Sequence, residues 1–277
     1  MVRRLKYLNT KGVFFEPVEK FSKQYQSANP FPHIVIDDFF NEDLLNEILS
    51  NFPNLKEQKK GEDTKHFDDK TGIKIASTGE RLFDDKSKGL MHFLNSEEFL
   101  IWLQELTGIK ETLIPDPYFN GGGFHEISNG GFLKIHADYN YHPETKLDRR
   151  LNLLIYLNKD WKESYGGHLE LWSRNMSKCE KKILPVFNRA VIFSTLSDSH
   201  HGHPEPLKCP EEVTRKSIAL YYFSNGRPRD EIKSAHTTIY RKRPGSEDLG
   251  LNIKEAIKLL VPPILLPSTI RKLFRNK

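Results

Sequence analysis

Residues 130–138 read Gly-Gly-Phe-Leu-Lys-Ile-His-Ala-Asp, an apolar run that glycines precede and that ends in a histidine and a carboxylate. The run has the length and composition of a β-strand. Successive side chains of a strand point to opposite faces, so His136 and Asp138 are expected on the same side of a sheet. An imidazole and a carboxylate placed in this way can share one metal ion.

A histidine followed two residues later by an acid is not specific in this chain. The pattern occurs at His66, His136, His142, His168 and His203. His66 lies in the charged stretch 61–70, which is predicted to be a loop. His142 and His203 precede prolines, which favour turns or strand starts. His168 begins a strand of its own, with no second pair of ligands near it. Context therefore selects His136.

A second group of polar residues follows downstream. Residues 199–204 read Ser-His-His-Gly-His-Pro. Strand alternation places His201 and His203 on one face and His200 on the other, so either of the first two can supply a second imidazole. Two imidazoles and one carboxylate suit a non-haem ferrous site with open positions. Further on, Arg215 can hold the far carboxylate of an organic acid cosubstrate.

Composition indicates a soluble globular protein. The chain has 277 residues, 37% of them hydrophobic and 11% aromatic, which allows one large domain with extensions. It has no apolar run of 18 residues, and Met1–Tyr7 lacks the apolar stretch of a secretory signal. Cys179 and Cys209 form no Cys-x-x-Cys pair. A disulfide framework and a zinc ribbon are therefore not expected. We expect a cytoplasmic location.

The net charge of +5 is concentrated at the C-terminus. Residues 252–277 contain six basic residues and one acid, so the rest of the chain is neutral. A neutral body argues against a nucleic-acid groove. The basic tail, which also carries apolar residues, either packs on the body of the protein or makes a weak contact with an anionic membrane surface or a partner.

The order of elements predicts helices first and strands afterwards. A strand is expected at 33–38, a helix at 42–52 capped by Asn41, and a helical region at 88–107, with 54–80 charged and irregular. Short strands are expected at 132–138, 150–158, 168–172, 183–186, 190–195 and 216–223. This spacing, punctuated by glycine and proline, indicates an α+β protein whose strands form a jelly roll.

Several of these segments together resemble a known family. The segments are 131–138, 151–158, 166–169, 191–194, His201-Gly202 and 215–223. Their order resembles that of 2-oxoglutarate- and iron(II)-dependent dioxygenases of the prolyl 4-hydroxylase type, and 30–37 resembles the start of that domain. The resemblance implies a double-stranded β-helix with N-terminal helices packed against it. It covers 30–228, leaving 1–29 as an N-terminal extension and 229–277 as a basic C-terminal extension.

The resemblance also implies roles for particular residues. Fe(II) would be bound by His136, Asp138 and His201, with His203 as the alternative distal ligand. His201 is preferred because it follows the 191–194 strand closely and precedes a glycine. Arg215 would hold the distal carboxylate of 2-oxoglutarate, with hydroxyl groups from Tyr156 and Ser217. Polar side chains near the expected mouth of the site are His125, Glu126, Asn140 and Asn152.

The implied reaction is hydroxylation of an unactivated C–H bond by O2 and 2-oxoglutarate, with succinate and CO2 as co-products and ascorbate as a candidate reductant. Family members that halogenate lack the carboxylate ligand, so Asp138 favours hydroxylation. The implied substrate is a protein side chain or a small molecule. The alternative is a non-catalytic, cupin-like jelly roll that binds a metal or ligand. The sequence does not reveal the oligomeric state.

Overall fold

Four α-helices pack against one curled β-sheet in the part of the chain that the structure describes. The computed structural model describes residues 6–142 and 144–248. The helices are α1 Glu19–Gln26, α2 Glu42–Ser50, α3 Asp85–Leu94 and α4 Glu97–Thr107. The strands are β1 His33–Ile36, β2 Thr64–Asp69, β3 Gly72–Ser77, β4 Ile114–Pro115, β5 Gly123–Ile127, β6 Leu133–Ala137, β7 Asp148–Tyr156, β8 Leu169–Trp172, β9 Cys179–Ile183, β10 Ala190–Ser194, β11 His201–His203, β12 Arg215–Ser224 and β13 Ile239–Tyr240. Short 3-10 helices cover Val13–Phe15, Leu55–Glu57, Glu163–Tyr165 and Arg229–Glu231.

The described strands form one antiparallel sheet in the order β1-β10-β7-β12-β5-β3-β6-β11-β8-β9, with β2, β4 and β13 paired at β3, β12 and β6. The sheet curls so that strands far apart in this order line a common cavity. Residues of β7 and β12 and residues of β6, β8 and β11 meet there. The α+β jelly-roll prediction is thereby confirmed.

Strand β7 is buried on both faces, which explains its nearly continuous apolar sequence. Leu151 and Ile155 belong to the large apolar cluster that includes Phe99 of α4. Tyr156 belongs to a second apolar cluster with Phe193, inside the curl of the sheet. The N-terminal helices therefore cover one face of the sheet, and the other face encloses the interior of the roll.

The helix predictions are partly confirmed. Asn41 caps α2, because its side-chain oxygen accepts a hydrogen bond from the Leu44 amide at 2.9 Å. The helical region predicted at 88–107 is two helices that meet at Asn95–Ser96. The Ser96 hydroxyl donates to the Phe93 carbonyl oxygen at 2.6 Å, and such local bonding by serine competes with a continuous helix.

The prediction that residues 54–80 are irregular was wrong. Strands β2 and β3 form a hairpin in this segment, and His66 lies on β2 rather than in a loop. Asp69 stabilises the turn by accepting a hydrogen bond from the Thr71 amide at 2.7 Å. Charged residues are tolerated because β2 is mostly exposed and pairs only at its β3 side among the named strands that the structure describes.

The remaining predictions differ in outcome. The strand predicted at 183–186 lies instead at Cys179–Ile183, with Pro185 beyond its end; the other predicted jelly-roll strands lie within two residues of observed ones. Both cysteines are free thiols. None of the helices within the described ranges has the length and apolar character needed to cross a membrane. The predicted role of 252–277 falls outside the described residues.

Candidate active site

Two histidines face each other on neighbouring strands. His136 of β6 and His201 of β11 are direct partners in the antiparallel register, and their ring centroids are 4.5 Å apart. Each Nδ1 hydrogen-bonds with the backbone carbonyl oxygen two residues earlier, Lys134 at 2.8 Å and Ser199 at 3.0 Å. A proton on Nδ1 satisfies each carbonyl and leaves each Nε2 with its lone pair available.

Asp138, directly after β6, completes this group. Its Oδ1 lies 3.6 Å from Nε2 of His136, and its Oδ2 lies 3.4 Å from Nε2 of His201. The potential ligand atoms of the three side chains all lie within 4.8 Å of one another, and all three side chains are buried. We call His136, Asp138 and His201 the metal group.

The protonation states of His201 and Asp138 suit a metal ion. Burial lowers the pKa of His201 to about 3, so its imidazole is neutral near pH 7. Burial alone would raise the pKa of Asp138, but the charge of Arg149 holds it well below its usual value. A neutral imidazole and an ionised carboxylate are the metal-binding forms. Nitrogen and oxygen donors without a thiolate fit Fe(II) with open coordination positions.

Two side chains of β7 hold the carboxylate of Asp138. Asn152 donates from Nδ2 to Oδ2 of Asp138 at 2.7 Å, and Nη2 of Arg149 lies 3.1 Å from the same oxygen. Arg149 also donates to Oδ1 of Asn152 from Nε at 3.1 Å and from Nη2 at 2.7 Å. The three side chains brace one another, and this fixes the orientation of the carboxylate.

Arg149 is itself enclosed by two aromatic rings. Its guanidinium carbon lies 4.6 Å from the ring centroid of Tyr139 and 3.6 Å from that of Tyr221. The side chain is only 2% exposed. Stacking on aromatic faces and pairing with Asp138 offset the loss of hydration that burial of this cation entails.

A second buried guanidinium, that of Arg215, has no such counter-ion. Its Nε donates to the Gly167 carbonyl oxygen at 2.9 Å, and its Nη2 donates to the Tyr156 hydroxyl at 3.3 Å. No carboxylate pairs with it among the described residues, and burial lowers its pKa. Ser217, two residues along β12, is the register partner of Tyr156. The surroundings of Arg215 are those of a receptor for a carboxylate ligand.

One cavity of about 80 Å³ joins the metal group to Arg215 and Ser217. We call it the inner cavity. Its lining also includes Lys74 of β3, which adds positive charge to that of Arg215, and the imidazoles of His125 of β5 and His203 of β11. Asp138 is its one carboxylate among the described residues. The inner cavity therefore favours an anionic ligand.

His203 shares the inner cavity but lies outside the metal group. The pairing of β11 with β6 is irregular between His201 and His203, so that His203 is opposite Leu133. His200 has a different environment, with its Nε2 3.4 Å from Nε of Arg241. The geometry thus favours His201 over His203 as the distal ligand.

A larger, outer cavity has a volume of about 530 Å³. Its walls include Tyr139, Tyr141 and His142, together with residues 235–238. The latter belong to a segment, residues 234–241, that we call the strap. Strand β13 of the strap pairs with β6, and the Tyr240 ring lies 5.5 Å from that of His136. Residues after position 228, predicted as an extension, therefore border the site.

The polar residues predicted near the mouth have different environments. Asn152 holds Asp138, as described above, and His125 lines the inner cavity. Asn140 binds the strap, since His236 donates its amide to the Asn140 side-chain oxygen at 2.8 Å. Glu126 bonds elsewhere, accepting from the Leu55 amide at 3.2 Å and the Thr214 hydroxyl at 2.9 Å.

Sequence reasoning missed two polar residues of the inner cavity, Lys74 and Tyr221. Tyr221 could have been predicted, because alternation along β12 places residues 215, 217 and 221 on one face. Lys74 was not, because the hairpin that carries it had not been recognised.

Residues 122–223 match the sequence model of the 2OG-Fe(II) oxygenase superfamily. The matched segment contains the metal group and also Arg215, Tyr156 and Ser217. This part of the chain is therefore similar to the 2OG-Fe(II) oxygenases.

Known proteins similar to this chain include prolyl hydroxylases. Prolyl 3-hydroxylase OGFOD1 of Xenopus laevis is 28% identical over 194 residues, which are 67% of this chain and 34% of that protein. The chain therefore spans about a third of the length of this curated relative.

Solved structures of low identity share the fold of this chain. A Pseudomonas putida prolyl-4-hydroxylase has a TM-score of 0.54 at 14% identity, covering 76% of this chain and 100% of that one. A Trichoplax adhaerens prolyl hydroxylase, solved with a hypoxia-inducible-factor peptide, has a TM-score of 0.51 at 18% identity, covering 76% and 95%. The epimerase SnoN from nogalamycin biosynthesis has a TM-score of 0.52 at 12% identity, covering 84% and 92%. The fold alone therefore does not decide the reaction.

Proposed function

We propose that the chain is a hydroxylase that uses Fe(II), 2-oxoglutarate and O2 and acts on a prolyl residue of a protein. One observation carries the proposal. A buried His-Asp-His group and an arginine that has no counter-ion among the described residues lie at the same cavity. The first suits Fe(II), and the second suits the far carboxylate of a dianionic cosubstrate.

The inner cavity has groups for both ends of 2-oxoglutarate. Arg215, steadied by Tyr156 and Gly167, would hold the distal carboxylate, and Ser217 would add a hydroxyl donor. The 2-oxo acid end would lie toward the metal group. When bound, Fe(II) supplies the oxidative decarboxylation of 2-oxoglutarate to succinate and CO2 and the insertion of one oxygen atom into a C–H bond.

The protein orients the carboxylate of Asp138 and keeps bulk water out of the inner cavity. Arg149 and Asn152 keep Asp138 ionised and fixed in direction. The apolar side chains of Leu154, Leu169 and Phe193 line the inner cavity and limit the access of bulk water, which strengthens electrostatic contacts inside.

Two observations support the proposal of a prolyl substrate: the similarity to prolyl hydroxylases and the lining of the outer cavity. The relatives include a prolyl 3-hydroxylase and a prolyl hydroxylase solved with a peptide. The outer cavity offers the rings of Tyr139 and Tyr141 directly after Asp138, and aromatic faces are good packing partners for an apolar ring.

The test is turnover of proline-containing peptides with Fe(II), 2-oxoglutarate and ascorbate in air. Succinate and an added oxygen atom in the peptide are expected products. His136→Ala should abolish both, and Arg215→Met should raise the KM for 2-oxoglutarate about 10- to 100-fold, as loss of a charge-assisted bond does. Arg189→Met, which removes an arginine paired with Asp37 away from the cavity, is the matched control.

A wild-type protein that binds metal but forms no succinate, with or without peptide, would exclude this function. The alternative of a non-catalytic, cupin-like binding protein would then stand.

A further inference from the structure

We propose that His203 is a second cosubstrate-binding residue, whose imidazole donates a hydrogen bond to the 2-oxoglutarate carboxylate that Arg215 holds. The inference rests on the proposed function, because it takes 2-oxoglutarate as the ligand of the inner cavity. It assigns His203 a role other than metal binding.

The first observation is that His203 is a buried polar side chain without partners. It is 4% exposed, and neither ring nitrogen has a hydrogen-bond partner among the described residues. Buried polar groups are nearly always hydrogen-bonded, because leaving one unpaired destabilises the folded state. An imidazole with two unpaired nitrogens that faces a cavity is therefore suited to a ligand.

The second observation is the direction in which β11 presents this side chain. His203 lines the inner cavity together with Arg215 and Ser217. Strand β11 is pressed against β6 at Gly202, where an added Cβ would lie 2.8 Å from the carbonyl oxygens of Leu133 and Lys134. This close approach leaves β11 little freedom to turn His203 elsewhere.

The third observation concerns the donors that surround Arg215. Protein atoms accept hydrogen bonds from its Nε and from one N–H of Nη2, which leaves Nη1 and the other N–H of Nη2 for a ligand. A carboxylate has about four lone-pair sites, so it can also accept from a donor other than Arg215. His125 lines the same cavity, but its Nε2 already bonds with the Gly121 carbonyl oxygen at 3.0 Å. Lys74 lies 4.9 Å from the ring centroid of Phe67. His203 is the cavity histidine whose two nitrogens are both unpaired.

The experiment measures ligand affinity rather than turnover. Calorimetric titration of 2-oxoglutarate into the full chain loaded with Mn(II) should give a Kd about 10- to 100-fold weaker for His203→Leu, since a hydrogen bond to a charged group is lost. Mn(II) affinity should not change. His203→Gln, which keeps a donor, should recover part of the affinity, and His200→Gln is the matched control from the same short segment.

Two further readouts separate this role from a structural one. Oxalate binds a metal but has no distal carboxylate, so its affinity should be equal in wild type and His203→Leu. Without ligand, His203→Leu should melt at the same temperature as wild type or higher, because an unpaired polar group is replaced by an apolar one.

Equal 2-oxoglutarate affinities of wild type and His203→Leu would overturn the assignment while leaving the proposed function intact. A parallel loss of oxalate affinity would also overturn it, because the effect would then lie at the metal end. Wild-type protein that binds Mn(II) but not 2-oxoglutarate would overturn the proposed function and, with it, the role of His203.

Discussion

Arg149 and Arg215 are both buried cations, yet their surroundings give them different uses. Arg149 is paired with Asp138 and stacked between two tyrosines. Arg215 has only neutral partners, a carbonyl and a hydroxyl. A paired buried arginine holds structure in place, whereas an unpaired one is ready to receive an anion.

Removal of the Asn152 amide should weaken metal binding. The hydrogen bond of 2.7 Å from Asn152 to Asp138 orients the carboxylate, and loss of such a bond typically costs about 10- to 100-fold in metal affinity. Asn152→Leu is therefore expected to raise the Kd for Mn(II) by that factor, measured by calorimetry. Asn158→Leu removes another buried amide, bonded to Pro185 and Lys216 instead, and should leave metal affinity unchanged. Equal affinities of wild type and Asn152→Leu would contradict this account.

The pairing of β11 with β6 sets the distance between the two histidines of the metal group. Gly202 lies at the point where the strands approach most closely. Gly202→Ala is expected to force the strands apart, costing about 1–3 kcal/mol in the free energy of unfolding, as overpacking does, and lowering Mn(II) affinity. Gly130→Ala is the control, since Gly130 has a φ of +76° but open space around it. It should reduce stability, measured by urea unfolding, without altering metal affinity. Unchanged stability and metal affinity in Gly202→Ala would show that β11 has room to move.

The strap is tied to the site by Asn140. Asn140 donates to the Ser234 carbonyl oxygen at 3.1 Å and accepts from the His236 amide. Asn140→Ala is expected to increase amide hydrogen exchange at 234–238, because these hydrogen bonds limit local opening. Asn129→Ala, which removes a surface bond to Glu211, should not. Unaltered exchange of the strap in Asn140→Ala would contradict this role, because β13 and the bond between His236 and Ser197 would then be enough to hold the strap.

Burial of several neutral histidines makes the stability of the whole molecule depend on pH. Burial lowers the pKa of His125 and His201 to about 3 and of His200 to about 4, and it holds that of His203 well below its usual value. The unfolded chain takes up protons near pH 6.5 and the folded chain does not. This stabilising contribution is therefore present above pH 6.5 and is lost as the pH falls toward the folded-state pKa values, about 3 for His125 and His201 and about 4 for His200.

The free energy of unfolding of the metal-free protein is expected to fall by about 5 kcal/mol between pH 7.5 and 5.5. For each neutral buried histidine, the free energy of unfolding falls by up to about 1.4 kcal/mol for every pH unit below 6.5. Urea unfolding with a chelator present measures the change. His125→Leu should reduce the slope of the free energy of unfolding against pH by about a quarter. His92→Gln, which alters an exposed side chain, should not change this slope. Stability that stays constant to pH 5.5 would contradict the burial of these histidines.

The fold was largely predictable where local pattern and burial agree. The 150–158 run is apolar because β7 is covered on both faces, and the position of Asn41 was enough to place the start of α2. The β2–β3 hairpin escaped prediction because an exposed strand has no apolar period. Strand β11 is missing from the predicted strand ranges, although strand alternation was applied to its histidines, because three residues are too short to show an apolar period.

The sequence by itself determined that His136 and Asp138 share a face, because strand alternation is a local property of the backbone. It also determined the chain order of the oxygenase segments. Only the tertiary structure decided that His201, rather than His203, meets His136, since register between distant strands depends on non-local pairing. The tertiary structure also brought Arg149 to Asp138. It placed His203 and Arg215 at one cavity with no acidic partner among the described residues, because that cavity forms only when the sheet curls.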